Sequence, residues 1–134
     1  KQLIPLYRAY FSLQQALAHD DAAAAIIGQD ALRRAVIAVP KSNADWEQRR
    51  LELLTQLKEP AAQEISEQRR RLGALSGMLF RLANDFDLKK QGVELHRFYC
   101  PMAFNNQGGY WLQETAELEN PYFGSAMLKC GEEK

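Results

Sequence analysis

Apolar residues return every three or four positions through the first two-thirds of the chain, and that period predicts four amphipathic helices. Over residues 2–18 the stripe is Leu6, Tyr10, Leu13 and Leu17, widened by Tyr7 and Phe11. His19, Asp20 and Asp21 interrupt it, and Asp20 or Asp21 is suited to cap the next helix by accepting backbone N–H bonds. The second helix, about 21–38, opens on four alanines and continues through Ile27, Leu32, Val36 and Val39 until Pro40 stops it. Its small residues suit a close helix approach, with Gly28 tolerated at a cost near 1 kcal/mol. Ser42 followed by Asp45 resembles a capping arrangement for a third helix. Trp46, Leu53, Leu54 and Leu57 form the apolar face of that helix, and Pro60 ends it.

The fourth helix, about 61–86, has the cleanest pattern. Ile65, Leu72, Leu79 and Phe86 stand seven apart, Leu75 and Leu82 fill the gaps, and Gln68 alone interrupts the seam. The opposite face carries Glu64, Glu67, Arg69, Arg70 and Arg71, which reads as a solvated surface. From Leu88 the period shortens to two: Val93, Leu95, Arg97 and Tyr99 alternate with Glu94, His96, Phe98 and Cys100, as in a short strand. Gly108 and Gly109 signal a turn, and Tyr110, Trp111 and Leu112 can pair back as a second strand. A further tight turn is expected at Asn-Pro-Tyr-Phe-Gly, residues 120–124. The expected fold is mainly α: an antiparallel four-helix bundle with an aromatic-rich loop and short hairpin packed on it. A single domain over 1–134 is expected, divided into a bundle at 1–87 and a tail at 88–134.

Composition narrows the function classes. Seventeen basic residues balance seventeen acidic ones, so the chain lacks the positive field that nucleic acid or an anionic membrane surface requires. No apolar run approaches the roughly 20 residues of a membrane span. The chain opens directly in helical pattern, without a basic-then-apolar leader, and reads as a mature or excised domain.

Both cysteines fall in the tail, each near a methionine: Cys100 with Met102, and Met127 with Cys130. Thiolates and thioethers are soft donors that favour monovalent copper or silver. Two such pairs supply three or four sulfurs if their loops meet, and His96 is a candidate nitrogen donor. A Cys100–Cys130 disulfide is the competing reading. It would close a loop of about 30 residues and stabilise by roughly 3–4 kcal/mol. Two unlinked core thiols are a third. Met78 lies within the fourth helix and reads as core, and His19 as a solvated helix-end residue. No phosphate loop, nucleophile elbow or zinc-protease motif is present. His96 and Cys100 stand some 13 Å apart along a strand, at about 3.3 Å per residue, which is too far for a catalytic dyad. A non-enzymatic protein is expected.

The segments Tyr-Cys-Pro-Met-Ala at 99–103, Gly-Gly-Tyr-Trp-Leu at 108–112, Asn-Pro-Tyr-Phe-Gly at 120–124 and Met-Leu-Lys-Cys-Gly at 127–131 carry a family resemblance. Together they resemble a domain of unknown function found in bacterial periplasmic proteins. The same domain occurs at the C-terminus of periplasmic adaptor (membrane fusion) subunits of copper/silver efflux pumps. The resemblance implies a periplasmic location and a role in heavy-metal efflux or resistance. Cys100, Met102, Met127 and Cys130 match its sulfur positions, and Cu(I) or Ag(I) would be the ion they take. An efflux-pump adaptor or another periplasmic component is the implied partner.

Overall fold

A computed structural model describes residues 3–134, so the expected start of the first helix at residue 2 lies outside the described residues. The chain is mainly helical, with α1 at Ile4–Ala18, α2 at Ala22–Ala38, α3 at Ala44–Gln56 and α4 at Ile65–Asp85. A small antiparallel sheet follows: β1 at His96–Cys100, β2 at Gly109–Gln113 and β3 at Glu132–Glu133, in the order β2-β1-β3. Single 3-10 turns occupy Leu88–Gln91 and Gly124–Ala126.

The helical stripes are buried largely as their spacing requires. Leu6, Tyr7, Tyr10, Leu13 and Leu17 of α1 are fully covered, as are Leu72, Leu75, Leu79 and Leu82 of α4. At α2, a Cβ on Gly28 would stand 3.2 Å from the Cα and Cβ of Leu13, so the absent side chain lets α1 and α2 close together. α3 packs between α2 and α4, and α4 also packs against α1. Met78 is partly buried against this core.

Several expectations change. Ile27 is 69% exposed and does not belong to the buried stripe of α2, whose inward positions are Ala25, Gly28, Gln29, Leu32 and Val36. The cap of α3 is Asn43, whose Oδ1 accepts from Trp46 N at 2.9 Å, rather than the Ser42 and Asp45 arrangement. Asp21, not Asp20, caps α2 by accepting from Ala24 N. α4 begins at Ile65 rather than near 61. The segment before it is extended because side chains hold it: Gln29 makes two bonds to the backbone of Ala62, and Gln68 donates to the carbonyls of Ala62 and Ala22. Gln68 is thus a buried tie rather than a flaw in the seam.

The face of α4 expected to be solvated also carries a tie. Arg69 is mostly buried, and its guanidinium donates to the carbonyls of Leu17 at 2.9 Å and Pro121 at 2.7 Å, and to Asp20 at 2.8 Å. It joins α4 to the end of α1 and to the C-terminal tail. Asp20 answers from a left-handed conformation (φ +58°), and its other oxygen accepts from Ser125 N. Bonds from Ser125 and then Arg69 hold its carboxyl down at about 2. Gly124 also has φ +58°, and a Cβ there would collide with Asp20.

The sheet lies on α1 and α4 and shares their core through Phe98, Trp111, Leu112 and Tyr122. Phe98 stacks on its register partner Trp111, with ring centroids 5.6 Å apart. The strand expected over 93–100 is shorter, starting at His96, and β3 was not foreshadowed by any periodicity. On the side of β2 away from β1, Leu112 N donates to the Tyr10 hydroxyl at 2.9 Å. Ser76 donates to the Leu72 carbonyl, so the Tyr10 hydroxyl is the donor in its 2.7 Å bond to Ser76. The Tyr122 hydroxyl donates to the Tyr110 carbonyl on the same side.

Replacing Arg69 by Met leaves the Pro121 and Leu17 carbonyls without their donor, and should lower unfolding stability by about 1–3 kcal/mol. The neighbouring Arg70 is 73% exposed, so Arg70→Ala should change stability by less than about 0.5 kcal/mol. Urea unfolding of the two variants beside the parent measures the difference.

Candidate functional site

Cys100 ends β1 opposite Gly109 and is completely buried, on the same strand face as Phe98. Cys130 arrives from the opposite direction, at the end of the C-terminal loop and just before β3, and is partly buried against the same core. Their sulfurs stand 3.9 Å apart. Both are free thiols, so the disulfide of the competing reading is not formed here. A sulfur–sulfur bond would need about 2.05 Å.

One buried residue brings Cys130 there. Asn120 is fully enclosed, and its Nδ2 donates to the Cys130 carbonyl at 2.7 Å. Its Oδ1 accepts from Tyr122 N at 2.8 Å and Phe123 N at 3.2 Å, which folds the chain into a turn immediately after Pro121. Its backbone N–H reaches the Leu128 carbonyl at 2.7 Å. Asn120 therefore closes the loop over 120–130 on itself and fixes its exit. A second buried amide, Gln113, holds the approach: its Oε1 accepts from Trp111 Nε1 and Glu119 N, and its Nε2 donates to the Thr115 and Glu117 carbonyls. Sequence reading identified the turn at 120–124 but neither amide as its organiser. The signal available was an Asn ahead of Pro, the residue type that bonds its own backbone two positions on.

The other proposed donors are placed unevenly. Met102 follows Cys100 by two residues in the next turn and is 46% exposed. Met127 is half-buried at the end of the 3-10 turn, and its carbonyl accepts from Cys130 N at 3.0 Å. His96 does not join the thiols. It sits at the far end of β1, with Nδ1 2.7 Å from Glu133 and Nε2 3.3 Å from Glu94. The two carboxylates flank opposite ring nitrogens. Among the described residues, no group of three or more His, Cys, Asp or Glu side chains is placed to hold a metal ion. His19 is largely exposed, 3.6 Å from Glu119.

Between Cys100 and β2 the connection is wound left-handed at Phe104, Asn105 and Asn106, with φ of +55°, +56° and +69°. Asn tolerates this conformation, whereas a bulky aromatic costs about 1–2 kcal/mol there. The Phe104 ring offsets that cost by packing on Tyr122, at 4.8 Å between centroids, and against Gly73 of α4. Gly109 passes beneath the same two rings. Cys100 is thus anchored through β1, and Cys130 through Asn120, to one aromatic layer.

Burial pushes the Cys130 thiol up, and its contact with Cys100 adds to the shift. The Cys130 thiol is therefore neutral at neutral pH, and any ligand that needs its thiolate must displace a proton.

Replacing Asn120 by Leu removes the donor to the Cys130 carbonyl and both turn acceptors. It should cost about 2–4 kcal/mol and speed the reaction of Cys130 with a chromogenic disulfide reagent under native conditions. At the other end of β1, the bond to Glu133 raises the His96 pKa against its ordinary 6.5, and Glu94 adds to the rise. Protonated His96 thus contributes stability that is complete below about 6.5 and disappears as pH rises through the higher folded value. Melting temperatures across that range should show the loss in the parent and not in His96→Gln.

No curated protein and no solved structure matches the chain. The family model described as "Protein of unknown function (DUF3347)" matches residues 6–91. That match runs from within α1 through α4 and ends before β1, so it leaves the thiol pair and its loops outside. With more than half of its length matched, the chain belongs to the DUF3347 family of proteins of unknown function.

Proposed function

We propose that the protein is a soft-metal binding module that takes Cu(I) or Ag(I) on the thiolates of Cys100 and Cys130. The observation that carries this reading is the 3.9 Å separation of two sulfurs from distant parts of the chain. Two thiolates bound to one ion at about 2.3 Å stand about 4 Å apart when the angle between their bonds is near 120°. That angle leaves room for a third donor, and Met102 and Met127 are the thioethers next to the pair in sequence. Soft sulfur donors with no carboxylate beside them select a monovalent soft ion over calcium or magnesium. His96 is left out of the ligand set because Glu133 and Glu94 already engage both ring nitrogens.

In this reading the helices, arranged as an antiparallel four-helix bundle, supply a rigid base, and the aromatic layer over it excludes water from the ion. Binding would release the thiol protons, so affinity should fall as pH falls. The setting proposed with it is the bacterial periplasm, with capture of the ion and delivery to an efflux-pump adaptor or another periplasmic component. The support for that setting is the resemblance of the Cys/Met segments. Among the described residues no helix is long and apolar enough to cross a membrane.

The full burial of Cys100 favours a second reading, in which the pair closes as a disulfide staple and the aromatic loops serve only as an interaction surface. A competition titration against a chromogenic Cu(I) chelator, with anaerobically reduced protein, separates the two. The metal reading expects one equivalent of Cu(I) bound by the parent and a loss of at least about 100-fold in affinity in Cys130→Ser. A reduced parent that takes no Cu(I) from the chelator would overturn it in favour of the staple.

A further inference from the structure

The two sulfurs touch, yet solvent reaches them unequally. Cys100 has no exposed surface, being closed in by the strand pairing with Gly109 and by the core on its face of the sheet. Cys130 is partly exposed, and it belongs to a loop that is bound to the sheet at few points. Any reagent approaching the pair from outside therefore meets Cys130 before it can meet Cys100. The backbone on both sides is held, Cys100 in the central strand and Cys130 by Asn120 at its carbonyl, with Gly131 packed on Trp111 and the Tyr99 carbonyl, so the partly exposed Cys130 side chain is the part that can turn.

We propose that the thiol pair is a redox-gated site with a fixed order of reaction, in which Cys130 is the entry thiol and Cys100 the resolving thiol. The co-reactant is a small disulfide. The Cys130 thiolate attacks one sulfur of that disulfide, its S–S bond breaks, and the leaving thiolate takes up a proton. The product is a mixed disulfide on Cys130. Cys100, already in contact, then attacks the Cys130 sulfur, the mixed S–S bond breaks, and the Cys100 proton passes to the departing thiolate. The protein gives up two electrons and two protons, and the small disulfide becomes two thiols. Closure needs the sulfurs to approach by roughly 2 Å, which the Cys130 side of the pair can supply.

The consequence for metal rests on the reading above: a Cys100–Cys130 disulfide holds no thiolate, so closing the pair closes the site to Cu(I). The order of reaction does not rest on it.

Reduced protein exposed to oxidised glutathione, quenched with acid and weighed by intact-protein mass spectrometry, tests the order. The parent should pass to a species two hydrogens lighter without a lasting glutathione adduct. Cys100→Ser should accumulate one adduct, mapped to Cys130. Cys130→Ser should react at least about tenfold more slowly than Cys100→Ser. Cys100→Ala, checked by circular dichroism, replaces the serine variant if a buried hydroxyl disturbs the fold. Equal rates for the two single variants, or a parent that retains its adduct, would overturn the proposal. Chelator competition on the closed form should then show Cu(I) binding abolished and restored by reduction. Undiminished binding by the closed form would refute gating. A reduced parent that binds no Cu(I) defeats the metal reading alone, and the adduct pattern still decides the order.

Discussion

A backbone carbonyl or amide that leaves regular secondary structure and is then buried must find a partner, or the fold loses about 1–3 kcal/mol for each one left bare. That constraint governs this protein, because its last third is mostly irregular chain laid across helices. Buried side chains meet it. Gln29 and Gln68 hold the backbone of Ala62 ahead of α4, Gln14 holds the Glu119 carbonyl, and Gln113 and Asn120 organise the loops after β2. Arg69 does the same with charge at Leu17 and Pro121. Helix–helix packing alone would leave the tail unattached; these bonds make it part of the same core.

The thiol pair depends on this arrangement. Strand pairing places Cys100, and strand pairing alone says nothing about Cys130, which lies in a loop with only two paired residues after it. Asn120 supplies the missing restraint by gripping the Cys130 carbonyl from ten residues away. Phe104 and Tyr122, meanwhile, wedge the connection between β1 and β2 against α4 at Gly73, so the sulfur end of the sheet rests on the helices. The stability of the helical base and the geometry of the two sulfurs are therefore coupled through packed aromatic rings.

The helices were legible because burial of one stripe imposes a period, and the leucines of α1 and α4 follow it closely. The convergence of the two Cys/Met segments was legible as a requirement shared by the competing chemical readings, and the 3.9 Å contact between Cys100 and Cys130 meets it. His96 lies at the opposite end of β1 from Cys100, as the roughly 13 Å separation along an extended strand requires, and its Nδ1 meets Glu133, a partner that the sequence pattern did not reveal. The roles of Gln68, Arg69, Gln113 and Asn120 were hidden for one reason. A polar residue in a pattern reads as surface, and only the fold reveals a buried carbonyl within its reach. The same ambiguity misassigned Ile27, since α2 turns Gly28 and Gln29 inward and leaves that isoleucine in solvent.

The two phenols that bond the outer side of β2 have an effect beyond the single chain. An unpaired strand edge is a template on which a strand from another molecule can build, and aggregation commonly starts there. Here the Leu112 N–H and the Tyr110 carbonyl, which such a strand would need, are already taken by Tyr10 and Tyr122. The opposite edge is β3, only two residues long and made of glutamates. With hydroxyls blocking one side and like charges the other, this sheet is protected from intermolecular strand addition even where the chain is crowded.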